Sequence, residues 1–247
     1  MMTREEFEDA RRLDAQEMSE DAWLHELVLD VLTNSDYYGW FHQMTWMGEP
    51  SLQFSQDLFA IQELMFRLQP RFVIELGTGW GGSLLFYASM MELVGGSEVL
   101  GVDVYMPQDL RDRLMGKGAI SKRLLLREGS STADDTLEWV TNIVGDEKRN
   151  LVILDSAHNH QHVLEELEQY APFIGPGYYM ICGDTIIEEM PPQLHRPRPW
   201  GPGNSPRTAL DEFLAGHPEF ESDSELENKL LITCNPKGYL RRCEPIT

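Results

Sequence analysis

Four acids, Glu75, Asp103, Asp155 and Asp184, each stand at or beside the end of a short apolar run. Asp155 is followed by Ser156-Ala157-His158-Asn159-His160-Gln161-His162, which places three histidines in five residues. His158 lies three positions after Asp155, about one turn if a helix starts there, so carboxylate and imidazole can meet the same substrate hydroxyl. An unperturbed imidazole titrates near 6.5, which suits removal of a proton around neutral pH. The same cluster also admits a metal. In an extended chain the three histidines share a face, whereas in a helix only His158 and His162 adjoin. On the residues alone, any of the three can be the base.

The second chemical feature is the run Arg71 to Ser83, R-F-V-I-E-L-G-T-G-W-G-G-S. Phe72, Val73, Ile74 and Leu76 suit a buried parallel strand, and Ser83-Leu84-Leu85-Phe86-Tyr87-Ala88 opens a helix. Between them Gly77, Gly79 and Gly82 satisfy the G-x-G-x-x-G spacing, with Thr78 inside the turn and Ser83 at its exit. Glycines at a strand-to-helix turn let the backbone approach a ligand, and the helix N-terminus favours anionic groups. Asp103 closes the next apolar run, where a carboxylate can take both hydroxyls of a ribose. Gly129, Ser130 and Ser131 follow the third run, small enough for an adenine ring to lie against the backbone. The residues therefore predict an adenosine-containing cofactor. Glu75, two positions before Gly77, gives the acid-first form E-x-G-x-G. That form is typical of Rossmann-like methyltransferases, whereas nicotinamide sites usually carry a small or apolar residue there.

These side chains need a scaffold, and the periodicity supplies one. Residues 3–33 read as two helices, with Thr3 and Glu6 as a capping box and Trp23, Leu24, Leu27, Val28 and Val31 at helical spacing. Residues 34–50 are aromatic and irregular. A helix over 57–68 stops before Pro70. Strands are expected at 72–76, 98–103, 123–127, 151–155 and 178–182, with helices at 84–93, 134–144 and 163–170 and a helix and loop over 105–120. Residues 188–206 hold too many prolines for an element and read as a binding loop. The tail, 227–242, reads as two antiparallel strands turning at Asn235-Pro236-Lys237-Gly238. Alternating strand and helix predicts an α/β, doubly wound, mainly parallel sheet with an antiparallel C-terminal strand, whose ligands sit outside the carboxyl ends of the strands. The expected division is a helical, aromatic extension over 1–50, serving as cap or oligomer contact, and a Rossmann-like domain over 51–247.

Composition narrows the class. The 247 residues are 42% hydrophobic, with 41 acids against 20 bases and a formal net charge of -21. That field repels phosphate backbones and anionic lipid, so neither nucleic acid nor membrane is expected as a partner. Cys182, Cys234 and Cys243 are too scattered for a disulfide framework or zinc knuckle. There is no secretory pattern at the start and no apolar run of membrane-crossing length, so a soluble, cytoplasmic protein is expected.

Taken together, E-L-G-T-G-W-G-G-S-L-L-F-Y-A-S-M, L-D-S-A-H-N-H-Q-H-V-L-E-E-L, D-T-I-I-E-E-M-P, P-W-G-P-G-N-S-P and E-N-K-L-L-I-T-C-N-P-K-G-Y-L-R-R resemble the cephalosporin hydroxylase family. Despite that name its members resemble S-adenosylmethionine-dependent O-methyltransferases, related to rhamnosyl and macrolide-sugar methyltransferases. The similarity covers about residues 40–243. It implies a class I methyltransferase fold and methylation of a hydroxyl on a natural product, of the kind made in antibiotic biosynthesis, or on a sugar. It also implies Mg²⁺ and a homo-oligomer, with Asp155 and Asp184 as metal ligands and His158 as base. Related enzymes can carry an acid pair where this chain has Gly183-Asp184. Glu188 and Glu189 are the nearby acids that can make up the missing carboxylate, or two carboxylates with substrate oxygens suffice. The acceptor is not named by any motif; Trp200 and His195 are candidate contacts. The alternatives are an NAD(P)-dependent oxidoreductase on the same glycine loop and a non-catalytic cofactor-binding protein. An iron hydroxylase lacks its β-sandwich pattern.

Overall fold

The computed structural model describes residues 2–244; residues 245–247, the end of the expected Rossmann-like domain, lie outside the described part. Two helices lead the chain, α1 (Arg4–Glu20) and α2 (Ala22–Ser35), and the Thr3/Glu6 capping box starts the first of them. Residues 36–42 form two short 3-10 turns, and a small hairpin, β1 (Thr45–Trp46) with β2 (Glu49–Pro50), leads into α3 (Ser55–Leu68). The domain then alternates: β3 (Phe72–Leu76), α4 (Gly82–Val94), β4 (Val99–Asp103), α5 (Gln108–Met115), β5 (Leu124–Glu128), α6 (Asp134–Val144), β6 (Asn150–Leu154), α7 (His160–Tyr170) and β7 (Tyr179–Cys182). It closes with α8 (Pro206–Gly216), β8 (Phe220–Ser222), a short α9 (Ser224–Glu227) and β9 (Tyr239–Arg242).

The seven-stranded sheet runs β5-β4-β3-β6-β7-β9-β8. β3 to β7 pair in parallel, and β9 runs antiparallel between β7 and β8. Strand alternation divides the core into two layers. Val73, Leu151, Ile153 and Ile181 face α3 and α4, while Phe72, Ile74, Leu76, Val152 and Met180 face α6, α7 and α8. Glu75 falls in the first set and is carried into the interior.

The expected tail is corrected. The partner of β9 is β8, not residues 227–234, and α8 has no counterpart in the sequence reading. Residues 230–234 cannot pair as a strand because side chains of α3 occupy their donors. Gln56 Oε1 accepts the Ile232 N–H at 3.1 Å, and Asp57 Oδ2 accepts that of Cys234 at 2.9 Å. Asp57 is fully buried and also takes the hydroxyls of Thr233 at 2.5 Å and Tyr239 at 2.7 Å. Burial pushes its carboxyl up to about 6 even against three donors. Asp57→Ala leaves those donors unpaired in the core. It is expected to cost about 2–4 kcal/mol in denaturant unfolding, with the slope unchanged.

Candidate active site

Parallel register sets the site. Leu76 pairs with Val102 on one side and Leu154 on the other, and Leu154 pairs with Cys182. The next residue on each strand, Gly77, Asp103, Asp155 and Gly183, therefore stands in one row along the carboxyl edge. The order reverses at β3, the switch point where such sheets open a crevice. A cavity of about 590 Å³ lies over this row.

Gly77 has φ of +87°, and a Cβ there would fall 2.0 Å from the Asp155 carbonyl oxygen. Only glycine fits, both for the left-handed backbone and for the approach of the loop to the end of β6. Asp103 Oδ2 accepts the N–H groups of Thr78 at 2.8 Å and Gly79 at 3.0 Å, and its Oδ1 accepts that of Tyr105 at 3.0 Å. Its first task is thus to shape the glycine loop, from a position on the cavity wall. Gly77, Thr78, Gly79, Ser83, Asp103, Gly129, Ser131 and Asp155 all line the cavity. Gly82 does not: it packs under the Pro50 carbonyl. Ser130 turns to Thr132 at 3.3 Å. Glu75 lies beneath the cavity, fully buried, with both carboxylate oxygens unpaired. Burial pushes it up to about 8.

The histidines separate. His158 Nε2 lies 3.5 Å from Asp184 Oδ2, and Asp155, His158 and Asp184 offer ligand atoms within 4.8 Å of one another. His160 is structural: its N–H donates to Asn204 Oδ1 at 3.0 Å and its Nδ1 meets the Thr208 hydroxyl at 2.9 Å, tying α7 to α8. His162 Nε2 sits 3.0 Å from Ser131 Oγ and 3.1 Å from Ser156 Oγ, and a hydrogen bond to buried Glu166 raises its pKa. Asp155 is held well above the usual carboxylate range by burial, then by the charges of Asp184 and Glu75. Asp184 has φ of +55°, a left-handed backbone that Asp tolerates better than most residues.

Gly183 cannot simply be exchanged for an acid. A Cβ there would sit 2.7 Å from the Leu154 carbonyl and 3.3 Å from Asp155 Oδ1, in the space the Asp155 carboxylate uses. Glu188 does not supply the missing ligand: it accepts from the Gly203 N–H at 2.9 Å and the Ser205 hydroxyl at 2.7 Å, fastening the loop. Glu189 faces Arg207 at 3.9 Å. Gln53, whose Nε2 lies 3.4 Å from Asp155 Oδ2 and whose Oε1 accepts from Tyr87 at 3.0 Å, had no sequence signal. The far wall comes from Phe41 and His42 of the extension, and from Met190, Arg198 and Trp200 of the proline-rich segment expected to be a binding loop. Trp200 meets His158 edge-on at 5.1 Å, while His195 turns away to Asp36 at 2.7 Å.

Both implied groups fit these residues. The glycine turn, the Asp103-pinned loop and the orphaned Glu75 carboxyl suit a nucleoside carrying a cationic tail. Two crowded carboxylates beside an imidazole suit a divalent cation.

The strand order and glycine-turn site define a class I, Rossmann-like methyltransferase. Solved CmcI structures share the fold: "CmcI-N160 apo-structure" has a TM-score of 0.58 at 20% identity, covering 82% of this chain and 77% of that one. "cmcI-D160 Mg-SAM" scores 0.56 at 20% identity, covering 83% and 78%. The chain belongs to the Rhamnosyl O-methyltransferase/CmcI family, whose model matches residues 38–243. It is 30% identical over 216 residues to the rhamnosyl O-methyltransferase of Mycobacterium tuberculosis strain H37Rv, covering 84% of each chain. To that of Mycobacterium leprae it is 31% identical over 213 residues, covering 83% of this chain and 87% of the other. Nothing in these relatives supports the nicotinamide alternative.

Glu75 yields a pH test. In the fold it keeps its proton up to about 8, whereas in the unfolded chain it loses it near 4.3. The folded state therefore holds the extra proton between these values, and stability falls as pH rises across that window. Glu75→Gln is expected to flatten this decline, which amounts to about 1.4 kcal/mol for each pH step crossed inside the window. Unfolding curves of both proteins from pH 5 to 8 check it; identical slopes would mean the buried carboxyl is already ionised.

Proposed function

We propose that this chain, an S-adenosylmethionine-dependent O-methyltransferase by its family, methylates a hydroxyl of a sugar or other small natural product. In this reading Asp155 and Asp184 hold Mg²⁺ and His158 serves as base. The observation that carries it is the convergence of Asp155, His158 and Asp184 within 4.8 Å on the wall of the glycine-loop cavity. The names of the similar proteins support it: rhamnosyl O-methyltransferases among the relatives, and a CmcI structure named for Mg and SAM.

When bound, S-adenosylmethionine supplies a sulfonium methyl, and Mg²⁺ supplies charge that lowers the acceptor hydroxyl's pKa. This chain's residues hold and orient. The Gly77–Gly79 turn, Ser83 and Asp103 cradle the nucleoside, Gly129 to Ser131 border the adenine, and Glu75 lies below the loop facing the methionine end. Asp155 and Asp184 would hold the ion at the cavity wall, beside His158, where the acceptor hydroxyl enters. His158 takes the hydroxyl proton at Nε2, beside the Asp184 carboxylate that stabilises the resulting imidazolium. Methyl transfer is an in-line displacement, so alignment is the main demand on the enzyme.

Residues 1–50 are read as an extension that completes the acceptor wall through Phe41 and His42, and 51–247 as the methyltransferase domain. A homo-oligomer is part of the same proposal. α1 buries none of its residues, and α2 leaves Trp23, Leu27 and Val31, successive turns of one face, exposed. Among the described residues no helix is long and apolar enough to cross a membrane. The free thiols of Cys182, Cys234 and Cys243 suit a cytoplasmic setting.

Isothermal titration with S-adenosylhomocysteine, with and without Mg²⁺ and with NAD as control, tests the reading. Micromolar binding of S-adenosylhomocysteine and none of NAD is expected; the reverse would overturn it. Once an acceptor is in hand, His158→Ala is expected to keep S-adenosylhomocysteine affinity and cut turnover by about 10²- to 10⁴-fold. Turnover near wild type would remove His158 from the base role.

A further inference from the structure

The cavity wall carries two arginines, and they differ in how their charge is used. Arg196 is neutralised by Asp36, a buried carboxylate of the extension that also holds His195. Arg198 makes no ion pair or hydrogen bond with any described residue. Its guanidinium lies over the face of Trp200, 5.5 Å from the ring centroid. The backbone that presents it is stiff. Pro197 and Pro199 flank it, so Pro199 fixes its own φ and biases Arg198 to an extended conformation. Beyond it, Gly201 and Asn204 exchange backbone hydrogen bonds, and Asn204 is tied to His160 on α7.

The charge of Arg198 is felt inside the cavity. His42, on the opposing segment, is held below the ordinary imidazole range by burial first and then by Arg196; Asp36 and Asp184 oppose this, and Arg198 adds a smaller push downward. Arg198 is thus an unpaired cation on the cavity wall of a chain of net charge -21. A planar guanidinium held on an aromatic face, with its N–H edge unclaimed, matches a carboxylate or phosphate through paired charge-assisted hydrogen bonds.

We propose that Arg198 reads an anionic group on the acceptor, a carboxylate or phosphate carried close to the hydroxyl that is methylated. The inference rests on the acceptor reading given above and deepens it. Distance sets the spacing. The Trp200 ring lies 5.5 Å from the Arg198 guanidinium and 5.1 Å from the His158 ring, so guanidinium and imidazole are separated by no more than these two lengths end to end. That span takes a single sugar-sized ring with its substituent. The acid and the methylated hydroxyl therefore belong to one ring or to directly linked rings.

The test is saturation-transfer NMR on the full chain, both free and loaded with S-adenosylhomocysteine. Its probes are matched pairs, galacturonic acid against galactose and glucose 6-phosphate against glucose. At least one acid is expected to saturate severalfold more strongly than its neutral twin, and the stronger pair identifies carboxylate or phosphate. Arg198→Gln is expected to weaken that acid by about tenfold, the loss of one charge-assisted contact. Arg198→Lys is expected to recover part of it, and both variants to keep wild-type affinity for S-adenosylhomocysteine. Equal saturation of acid and neutral twins, or an acid preference that survives Arg198→Gln, overturns the inference. Failure of S-adenosylhomocysteine to bind the wild type instead sinks the methyl-transfer reading, and the acid preference is then still read on the free protein.

Discussion

Everything at the site depends on how closely the turn after β3 lies against the end of β6. The parallel register aligns Gly77 with Asp155, and the missing Cβ at Gly77 lets backbone meet backbone there. A side chain at that point would part the strands where the sheet reverses its order, and crevice and cofactor turn would open together. The same contact fixes the Asp155 carbonyl and with it the direction in which the Asp155 carboxylate leaves the strand. Cofactor cradle and candidate metal site are thus positioned by one contact.

That economy has an electrostatic consequence. Placing Glu75, Asp155 and Asp184 at the ends of neighbouring strands crowds three carboxyls, Glu75 fully buried and the other two on the cavity wall. Burial raises Glu75 and Asp155, and the charges of Asp184 and then Glu75 raise Asp155 further. The fold offsets little of this with its own cations, since the neighbouring arginines are used elsewhere or face the mouth. A site built this way favours positive charge at two levels, a cationic group near Glu75 and a divalent ion between Asp155 and Asp184. Gly183 belongs to the same arrangement: its bare backbone leaves the volume into which the Asp155 carboxylate extends.

The cofactor half is legible in the sequence because its determinants are local. A strand, a glycine turn and a helix are contiguous in the chain, and an acid at the end of each following strand inherits its place from the sheet. The tail misleads for the opposite reason. Residues 230–234 have strand-like composition, but Gln56 and Asp57, far away in the chain, claim their N–H groups. α8 is hidden behind a run of prolines, although Ser205 and Thr208 form a capping box and Ala209, Leu210 and Phe213 mark its buried face. Spacing cannot separate the roles of the three histidines. Only the position of α8 shows that His160 is occupied with Thr208 while His158 faces Asp184.

The acceptor half is assembled from segments that meet only in the folded chain. The proline-rich loop is held at three points: Asp36 on Arg196 and His195, Asn204 on the start of α7, and Glu188 on Gly203 and Ser205. None of these contacts lies in the glycine-loop motif, so the loop can vary its lining residues without disturbing the cofactor turn. The His158 ring joins the two halves, meeting Asp184 on one side and Trp200 on the other. A residue in that position couples the orientation of the acceptor to the geometry of the acids. Chemistry and specificity in this fold therefore meet at that imidazole.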